Sequence, residues 1–297
     1  MNDPMKPTPW TPPASFASVV PALVQADGWM LDVDGCLVRT SQAGGSGGSA
    51  IEGAAELLGW LRRHGKDVVV CTNASQRPVR TYAAHLRAIG LDVADEDMMT
   101  AATAAADHIA THHPGARVLV VGDEGLREAV SERGLVLADP RDTDADVVVV
   151  GAADSFQSAH LNGACLSIAD HGAPLYVSVD TPWFHGGVKR SVASSSAIAM
   201  AISAVTGVRA QVCGKPSQAI GEVLRRRLGG AGRRLVVVGD MASIEVQLAH
   251  QMGALGVLVM SGGTSMEQLP HLPPAHRPDW VGRDVGELVQ QLKAVQA

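Results

Sequence analysis

The stretch that decides the fold is Met30-Leu31-Asp32-Val33-Asp34-Gly35-Cys36-Leu37, an apolar run that ends in two carboxylates and a glycine. In an extended strand, residues i and i+2 point to the same side, so we expect Asp32 and Asp34 to face one pocket. Two carboxylates this close are costly unless a cation neutralises them or one of them holds a proton. The stretch therefore predicts a strand end with acid–base or cation chemistry. Taken alone, it also fits a calcium-type loop or a chance turn.

Four more β-rich runs follow along the chain, and each ends in a small or polar residue. They cover residues 67–72, 118–123, 147–151 and 235–240. Continuous valine-rich runs are typical of strands buried on both faces, as in parallel sheets covered by helices. Helix-like stretches alternate with them, for example at 53–64 and 77–90. This alternation predicts an α/β fold, in which the working residues lie in loops at the carboxyl ends of the strands.

Polar residues suited to catalysis come after the strands in a fixed order. Thr72 and Asn73 follow the second run, Lys215 follows a Cys-Gly pair, and Asp240 and Glu245 follow the last valine-rich run. Each alone has an ordinary explanation: a strand-end threonine, a loop asparagine, a solvated lysine or a helix N-cap. Their joint order behind the Asp-x-Asp-Gly stretch favours a functional site.

This order of motifs resembles the haloacid dehalogenase superfamily. The long interval between Thr72 and Lys215 is similar to that of subfamily IIA, in which a large cap is inserted between the second and third motifs. The sequence is also similar to the sequences of that family at residues 51–56, 72–75, 121–126 and 212–216. The resemblance implies a Rossmann-like, mostly parallel sheet with an inserted α/β cap of the C2 type. On this basis we expect a catalytic core at 15–111 and 209–297 and a substrate-specificity cap at 112–208.

The resemblance implies a phosphatase mechanism for the acidic residues. Asp32 is expected to attack a phosphate monoester and form an aspartyl-phosphate, and a carboxylate is already ionised at neutral pH, so it needs no base. Asp34 is expected to protonate the leaving oxygen and then to deprotonate the hydrolytic water. Mg²⁺, which prefers oxygen ligands, is expected to bind Asp32, the backbone carbonyl of Asp34, and Asp240.

The resemblance also implies supporting roles for five residues. Thr72 and Lys215 are expected to hold the phosphoryl oxygens, with Lys215 also screening the charge of the nucleophile. Asn73 and Asp180 are expected to contact the substrate. Glu245 stands where relatives carry an aspartate, and it is expected to orient the metal-bound water without binding the metal itself.

The sequence departs from the family pattern in two places. In the last motif, Ser243 and Ile244 replace residues that are usually Asp and Thr, which removes polar support near the expected metal. In the cap, Ser194-Ser195-Ser196 replaces a Pro-Gly-x-Gly segment, ahead of a helix expected at 197–204. The nearby segment 183–190, Trp-Phe-His-Gly-Gly-Val-Lys-Arg, either recognises a ring and a charge on the substrate or packs its aromatic pair into the cap core.

Composition excludes several other classes of function. The formal charge is −6 and only 18% of the residues are charged, so the basic surface of a nucleic-acid-binding protein is missing. No apolar run reaches the roughly 18 residues of a membrane helix, and residues 1–13 lack the features of a signal peptide. The four cysteines form no CxxC pair and are expected to be reduced, which fits a cytoplasmic protein.

Two further features have ordinary explanations. His108, His112 and His113 lie close together on an expected helix, but no acidic or cysteine ligand completes a zinc site, so a solvated helix end is expected. The Gly-Ser run at 44–49 is a flexible linker by composition, and it is either a mobile flap near the site or an inserted surface loop.

The sequence thus predicts a Mg²⁺-dependent hydrolase of small phosphate monoesters, such as sugar, glycerol, glycolate or aryl phosphates. Its expected partner is a small phosphorylated metabolite, with no nucleic acid and no membrane. The resemblance also implies a homodimer formed through the cap. Two alternatives stay open: a catalytically weak ligand-binding protein with the same fold, and a phosphotransferase.

Overall fold

The computed structural model of the protein describes residues 10–11, 16–40, 47–186 and 189–295. Its strands are β1 (Gly28–Asp32), β2 (Val38–Arg39), β3 (Ser49–Ala50), β4 (Asp67–Thr72), β5 (Met98–Thr100), β6 (Arg117–Val121), β7 (Val136–Leu137), β8 (Val147–Val150), β9 (Leu175–Val177), β10 (Trp183–Gly186), β11 (Lys189–Val192), β12 (Gln211–Val212), β13 (Leu235–Gly239), β14 (Leu255–Val259) and β15 (Trp280–Gly282). Its α-helices are α1 (Val20–Val24), α2 (Ala54–Arg63), α3 (Val79–Ala88), α4 (Ala101–His112), α5 (Glu124–Glu132), α6 (Ser158–His171), α7 (Ser194–Thr206), α8 (Gln218–Arg227), α9 (Gln247–Met252) and α10 (Val285–Ala294). A π-helical turn covers Ala242–Val246, and short 3₁₀ turns cover Leu269–His271 and Pro274–His276.

Two parallel sheets form the framework of the described chain. The first has six strands in the order β15-β14-β13-β1-β4-β5, and the second has five in the order β12-β9-β8-β6-β7. Neighbouring strands in both sheets run parallel. Because parallel strands need long crossover connections, helices cover the faces of the sheets. This confirms the predicted α/β class, whereas the domain limits at 112 and 208 stay a prediction.

The buried valine runs form the strands that their pattern predicts. Strand β4 covers the predicted residues, and β8 is buried at every position. Alternate residues of β1 serve opposite faces of the first sheet: Trp29 and Leu31 lie in one apolar cluster, and Met30 lies in the other. The two clusters hold the first sheet between two layers of helices, so its strands are rigid supports for the loops at their ends.

The first sheet has a topological switch point between β1 and β13. From β1 the chain adds β4 and β5 on one side, and it later adds β13, β14 and β15 on the other side. At such a point the loops at the carboxyl ends of the two central strands leave in opposite directions and open a crevice for a ligand. The first sheet therefore places its binding crevice next to Asp32, the last residue of β1.

A loop of the first sheet fills the corresponding edge of the second sheet. We call residues 73–77, which follow β4, the 73–77 loop. The hydroxyl of Ser75 accepts from the amide of Ala152, after β8, at 2.9 Å, and the carbonyl of Gln76 accepts from the amide of Gly125 at 2.9 Å. The hydroxyl of Ser178, after β9, lies 3.5 Å from that of Ser75. The carboxyl edge of the second sheet is thus docked on the first.

The helix expected at 197–204 starts earlier than predicted. Helix α7 begins at Ser194, so the three serines form its first turn instead of preceding it. Their hydroxyls bond to neighbouring segments: that of Ser195 donates to the carbonyl of Val179 at 3.1 Å, and that of Ser196 donates to the carbonyl of Asp180 at 2.8 Å. These bonds satisfy the serines locally, which explains why a helix start tolerates them.

The prediction of a solvated histidine end is wrong for His108. This side chain is buried, and its Nε2 lies 3.2 Å from the side-chain Nε2 of Gln211. Its ring also contacts the ring of Tyr176. The ring of His113 also bonds to the hydroxyl of Tyr176, at 2.8 Å. In the described ranges, the histidines join no group of three or more His, Cys, Asp or Glu side chains arranged to hold a metal ion.

The aromatic segment that begins at Trp183 contributes to two paired strands. Strands β10 and β11 pair antiparallel, with Trp183 opposite Val192. The side chain of Trp183 is 41% exposed, so it does not pack into the core as one of the two interpretations required. Its proposed role in substrate recognition stays a prediction.

Three smaller predictions concern cysteines, membranes and the Gly-Ser run. All four cysteines are free, as expected. No helix in the described ranges combines the length and the apolar character that crossing a bilayer requires. Residues 44–46 of the Gly-Ser run lie outside the described ranges, so the choice between a flap and a surface loop is untested.

Replacing Gly125 by alanine is expected to destabilise the protein, although alanine is the better helix former. An added Cβ would lie 2.4 Å from the carbonyl oxygen of Arg77 in the 73–77 loop, and overpacking of this kind costs about 1–3 kcal/mol. The matched control is Gly59→Ala in α2, where the nearest atom belongs to the flexible Arg63 side chain and a gain of about 0.5–1 kcal/mol is expected. Urea unfolding measures both free energies, and a stabilised Gly125→Ala variant would contradict the docking of the two sheets.

Candidate active site

Three adjacent strands of the first sheet deliver the predicted acidic and polar residues to one edge. Asp32 ends β1, Thr72 ends β4 on one side of it, and Asp240 directly follows β13 on the other side. The register pairs Leu31 with Val238 in β13 and Asp32 with Cys71 in β4. All three polar residues are buried, so their charges and hydrogen bonds act in a medium of low dielectric constant.

Lys215 lies at the centre of this group. Its ammonium donates to Oδ1 of Asp32, to the carbonyl of Cys71 at 3.2 Å and to Oε1 of Glu245 at 2.9 Å. Only 2% of its side chain is exposed. Burial by itself lowers the pKa of Lys215, but the carboxylates of Asp32 and Glu245 outweigh that effect and raise this pKa well above its usual range. Lys215 is therefore a fixed positive charge, as the predicted screening role requires.

Asn73 holds the main chain of Lys215. Its side-chain amide donates to the carbonyl of Lys215 at 3.0 Å, and its Oδ1 accepts from the amide of Lys215 at 2.8 Å. This reciprocal pair places the residue after β4 against the segment that follows β12. The hydroxyl of Thr72 accepts from the amide of Ala74 at 3.2 Å, so its proton is free to point into the site. The predicted contacts of Asn73 and Thr72 with substrate stay predictions.

The site holds more negative charge than Lys215 balances. Burial raises the pKa of Asp32 well above its usual range, and the carboxylates of Glu245, Asp240 and Asp34 add to the rise in spite of Lys215. Burial and the carboxylate of Glu245 likewise raise the pKa of Asp240 to about 7. The raised pKa values indicate that the protein alone does not stabilise these two carboxylates as anions. A bound cation would stabilise them in the ionised form.

The donor set fits Mg²⁺. Mg²⁺ is a hard cation that typically binds one or two carboxylates and keeps several water ligands. The side chains of Asp32 and Asp240 with the backbone carbonyl of Asp34 form such a set, and the excess negative charge is of the right sign.

Glu245 reaches the site from a π-helical turn. The turn Ala242–Val246 directs its side chain back toward the end of β13, and Gly239 leaves the room, because a Cβ there would lie 2.0 Å from Cγ of Glu245. Oε1 accepts from Lys215, and Oε2 accepts from the amide of Met241 at 3.2 Å. The contact with Lys215 was not predicted from the sequence. The predicted role of orienting a metal-bound water stays a prediction.

Asp34 lies just beyond β1 and is half-buried. The hydroxyl of Thr40 donates to its Oδ1, which fixes the orientation of the carboxyl group at the mouth of the site. Its charge is among those that raise the pKa of Asp32, so the two acids are neighbours, as the i, i+2 spacing predicts. The nearby thiol of Cys71 is not a competing nucleophile, because burial raises its pKa to about 12.

Asp180 lies on the side of the second sheet that faces the first. It is exposed, and its carbonyl is fixed by Ser196. Two residues earlier, the carbonyl oxygen of Ser178 lies so close to Gly214 that a Cβ on that glycine would approach it to 2.3 Å. Gly214 precedes Lys215, so the segment that carries Asp180 passes next to the site. Its contact with substrate stays a prediction.

The sequence analysis did not predict the residues through which the first sheet contacts the second. Ser75 is almost fully buried between the two sheets, yet only its place in the Thr-Asn-Ala-Ser text at 72–75 drew attention to it. A serine in a loop carries no periodic signal, so no pattern in the chain predicts its long-range partner Ala152.

Comparison with known proteins gives two matching family models. Residues 29–136 match the haloacid dehalogenase-like hydrolase model, and residues 212–288 match a HAD-hydrolase-like model. Together the matched ranges cover well over half of the chain, and they contain every residue of the first-sheet site described above.

Several curated proteins and solved structures are similar to most of this chain. The chain is 29% identical to chronophin of Rattus norvegicus over 260 residues, which is 85% of this chain and 82% of the relative. It is 27% identical to an acid sugar phosphatase of Staphylococcus aureus over 271 residues, 91% of this chain and 99% of the relative. Its fold matches a glycerol phosphate phosphatase from Mycobacterium tuberculosis in complex with magnesium, with a TM-score of 0.78, 27% identity, and coverage of 94% of this chain and 79% of that one.

Replacing Asp240 by asparagine is expected to stabilise the metal-free protein. The folded-state pKa of Asp240 is about 7 against 3.8 for the free side chain, so ionised Asp240 opposes folding increasingly from pH 4 to pH 7 and fully above that. At pH 8 with chelator, the variant is expected to gain up to about 4 kcal/mol, since each unit between the folded and unfolded pKa values corresponds to about 1.4 kcal/mol.

The matched control for this prediction is Asp170→Asn on the exposed end of α6, for which a change within about 0.5 kcal/mol is expected. Chemical denaturation at several pH values measures the effect. A destabilised Asp240→Asn variant at pH 8 would show that the protein, not a cation, balances this carboxylate.

Proposed function

The chain belongs to the haloacid dehalogenase-like hydrolase family, subfamily IIA, and we propose that it is a Mg²⁺-dependent phosphatase of small phosphate monoesters. The observation that carries the proposal is the meeting of Asp32, Lys215 and Asp240 at the switch point of the first sheet. These residues come from distant parts of the chain. Buried charged groups with shifted pKa values at such a crevice are typical of catalytic sites.

In the first step, a carboxylate oxygen of Asp32 attacks the phosphorus of the monoester. A bond forms between that oxygen and phosphorus, the ester P–O bond breaks, and the leaving oxygen takes a proton from Asp34. Lys215 balances the charge of Asp32 and, with the Thr72 hydroxyl, holds the phosphoryl oxygens. Asn73 keeps Lys215 in place through its main chain.

In the second step, Asp34 removes a proton from a water molecule. The water oxygen bonds to phosphorus, the bond from phosphorus to Asp32 breaks, and inorganic phosphate leaves. Asp34 has regained its proton and Asp32 its charge, so the cycle is closed. The side chains of Asp32 and Asp240 and the Asp34 carbonyl would hold Mg²⁺, whose positive charge would offset the repulsion between the phosphate and the carboxylate of Asp32.

The second domain is proposed to select the substrate. We assign residues 112–208 to it and residues 15–111 and 209–297 to the catalytic core. Support comes from the docking of the 73–77 loop, which places the exposed Asp180 beside the segment that leads to Lys215. An exposed carboxylate accepts hydrogen bonds from hydroxyl groups. This favours polyol monoesters, the class named in the sugar and glycerol phosphatases to which the chain is similar.

Asp32→Asn is expected to lower the rate of phosphate release by about 10³-fold or more, because the amide is no nucleophile. The assay compares 4-nitrophenyl phosphate with sugar, glycerol and glycolate phosphates, in the presence of Mg²⁺ and of chelator. Release by the wild type is expected only with Mg²⁺. The surface variant Asp170→Asn is the matched control and is expected to keep the wild-type rate.

The same assay separates the alternatives. Tight binding of phosphate compounds without turnover by a folded wild type would favour a ligand-binding protein. Transfer of the phosphoryl group to an added sugar instead of water would favour a phosphotransferase. Release that survives in Asp32→Asn would contradict the proposed nucleophile.

We also propose that the chain forms a homodimer through the second domain. Helix α7 carries no charged residue, and one of its faces is exposed and apolar although the other is buried. The exposed face consists of Ala197, Met200, Ala201, Ala204 and Val205. Val208, just after the helix, extends it. An exposed apolar stripe of helical spacing is typical of an association surface.

Met200→Glu is expected to convert the dimer to a monomer, because a carboxylate would be buried without a partner at the interface. Light scattering after size exclusion measures the mass, which should fall from twice to once the chain mass of 30.8 kDa. Met266→Glu, at a residue of similar exposure outside the second domain, is the matched control. A wild type that is monomeric at micromolar concentration would contradict the proposal.

A reducing compartment such as the cytoplasm is proposed for the protein. All four cysteines are free, and three of them are buried thiols. Free cysteines in such number are typical of proteins from reducing compartments.

A further inference from the structure

A turn after β14 lies against both acidic loops of the site. The turn consists of Ser261, Gly262, Gly263 and Thr264, and we call it the 261–264 turn. Because β14 lies next to β13 in the first sheet, the turn leaves the sheet beside the segment that carries Asp240. None of the motifs noted in the sequence includes it.

The turn makes two hydrogen bonds to Asp240 and a third to Ala242. The amide of Gly263 donates to Oδ2 of Asp240 at 2.5 Å, and the amide of Thr264 donates to the Asp240 carbonyl at 3.0 Å. The hydroxyl of Thr264, which is buried, accepts from the amide of Ala242 at 3.0 Å. The carboxylate of Asp240 and the main chain that follows it are thereby fixed to one turn.

The turn also holds the loop that carries Asp34. The hydroxyl of Ser261 donates to the carbonyl of Gly35 at 2.6 Å. Two glycines enclose Oδ2 of Asp240: a Cβ would lie 2.3 Å from that oxygen at Gly35 and 2.0 Å from it at Gly262. With Oδ2 enclosed by the turn, Oδ1 is the oxygen that Asp240 presents to a cation.

We propose that the 261–264 turn is a positioning element that sets the affinity of the site for Mg²⁺. Its working side chains are Ser261 and Thr264, which fix the Asp34 and Asp240 loops relative to each other. The inference rests on the proposed function, since it takes Asp240 and the Asp34 carbonyl as metal ligands. Mg²⁺ demands nearly ideal octahedral geometry, so a small displacement of one ligand loop against the other weakens binding.

The turn acts through its hydrogen bonds and touches neither metal nor substrate in this scheme. Groups that orient metal ligands typically change metal affinity by about 10- to 100-fold when they are removed. The effect should therefore fall on the dissociation constant of Mg²⁺. The Michaelis constant for substrate at saturating Mg²⁺ should change much less.

The test uses Ser261→Ala and Thr264→Val in the full chain. Calorimetric titration of Mg²⁺ alone into the metal-free protein is expected to give a dissociation constant about 10-fold or more above that of the wild type for each variant. With Mg²⁺ raised to saturation, the Michaelis constant for the best monoester is expected to stay within about twofold of wild type. Thr264→Ser keeps the hydroxyl and is expected to restore wild-type Mg²⁺ binding.

Ser265→Ala is the matched control, because that neighbouring serine bonds to Gln268 and not to the site. Wild-type Mg²⁺ affinity in both Ser261→Ala and Thr264→Val would overturn the inference and leave the proposed function standing on the Asp32→Asn result. Unchanged Mg²⁺ affinity with a raised Michaelis constant would also overturn it. A wild type that binds no Mg²⁺ would overturn the inference together with the proposed function. Should Thr264→Val fail to fold, Ser261→Ala and Thr264→Ser still decide the question.

Discussion

The buried ammonium of Lys215 is the interaction on which the site depends. Taking a lysine out of water is costly unless the charge is paired and the donors are used. Here the three acceptors are Asp32 at the end of β1, the carbonyl of Cys71 in β4, and Glu245 in the π-helical turn after β13. One charge therefore joins the ends of three neighbouring strands. Asn73 transmits the position of that charge to the main chain after β4, so the loops cannot move independently.

The buried carboxylates of the same site lower the stability of the folded protein. The carboxylate of Asp32 lies among those of Asp34, Asp240 and Glu245, and burial makes the repulsion that it feels strong in spite of Lys215. Hydrogen bonds from Gly263 and Met241 hold two of these groups in place without neutralising them. A cation of the right size relieves the repulsion and finds its ligands already oriented. Natural proteins commonly keep such local conflicts where activity requires them.

The buried valine runs were sufficient to predict the strands and a parallel sheet whose working residues lie at the carboxyl ends of its strands. The grouping of Lys215 with Asp32 and Asp240 came from the order of motifs that resembles the haloacid dehalogenase superfamily. The other contacts of the site depend on the conformation of loops, and loops have no periodic sequence pattern from which their conformation can be predicted. The contact of Glu245 with Lys215 spans 30 residues and requires a π-helical turn. The burial of His108 depends on Tyr176 in a distant strand, and the polarity of its own helix gives no sign of it.

The 73–77 loop is the element of the first sheet that docks on the carboxyl edge of the second. Open α/β sheets bind ligands at the carboxyl ends of their strands, but in the second sheet that edge is occupied by Ser75 and Gln76 of the first. The occupying loop continues directly from Thr72 and Asn73, which lie in the first-sheet site. Any shift of the second sheet is therefore felt at Lys215 through Asn73. The second sheet therefore lies against the loop that continues from Thr72 and Asn73. In the proposed function, substrate selection would follow from which of its segments, such as the one with Asp180, this docking brings near the site.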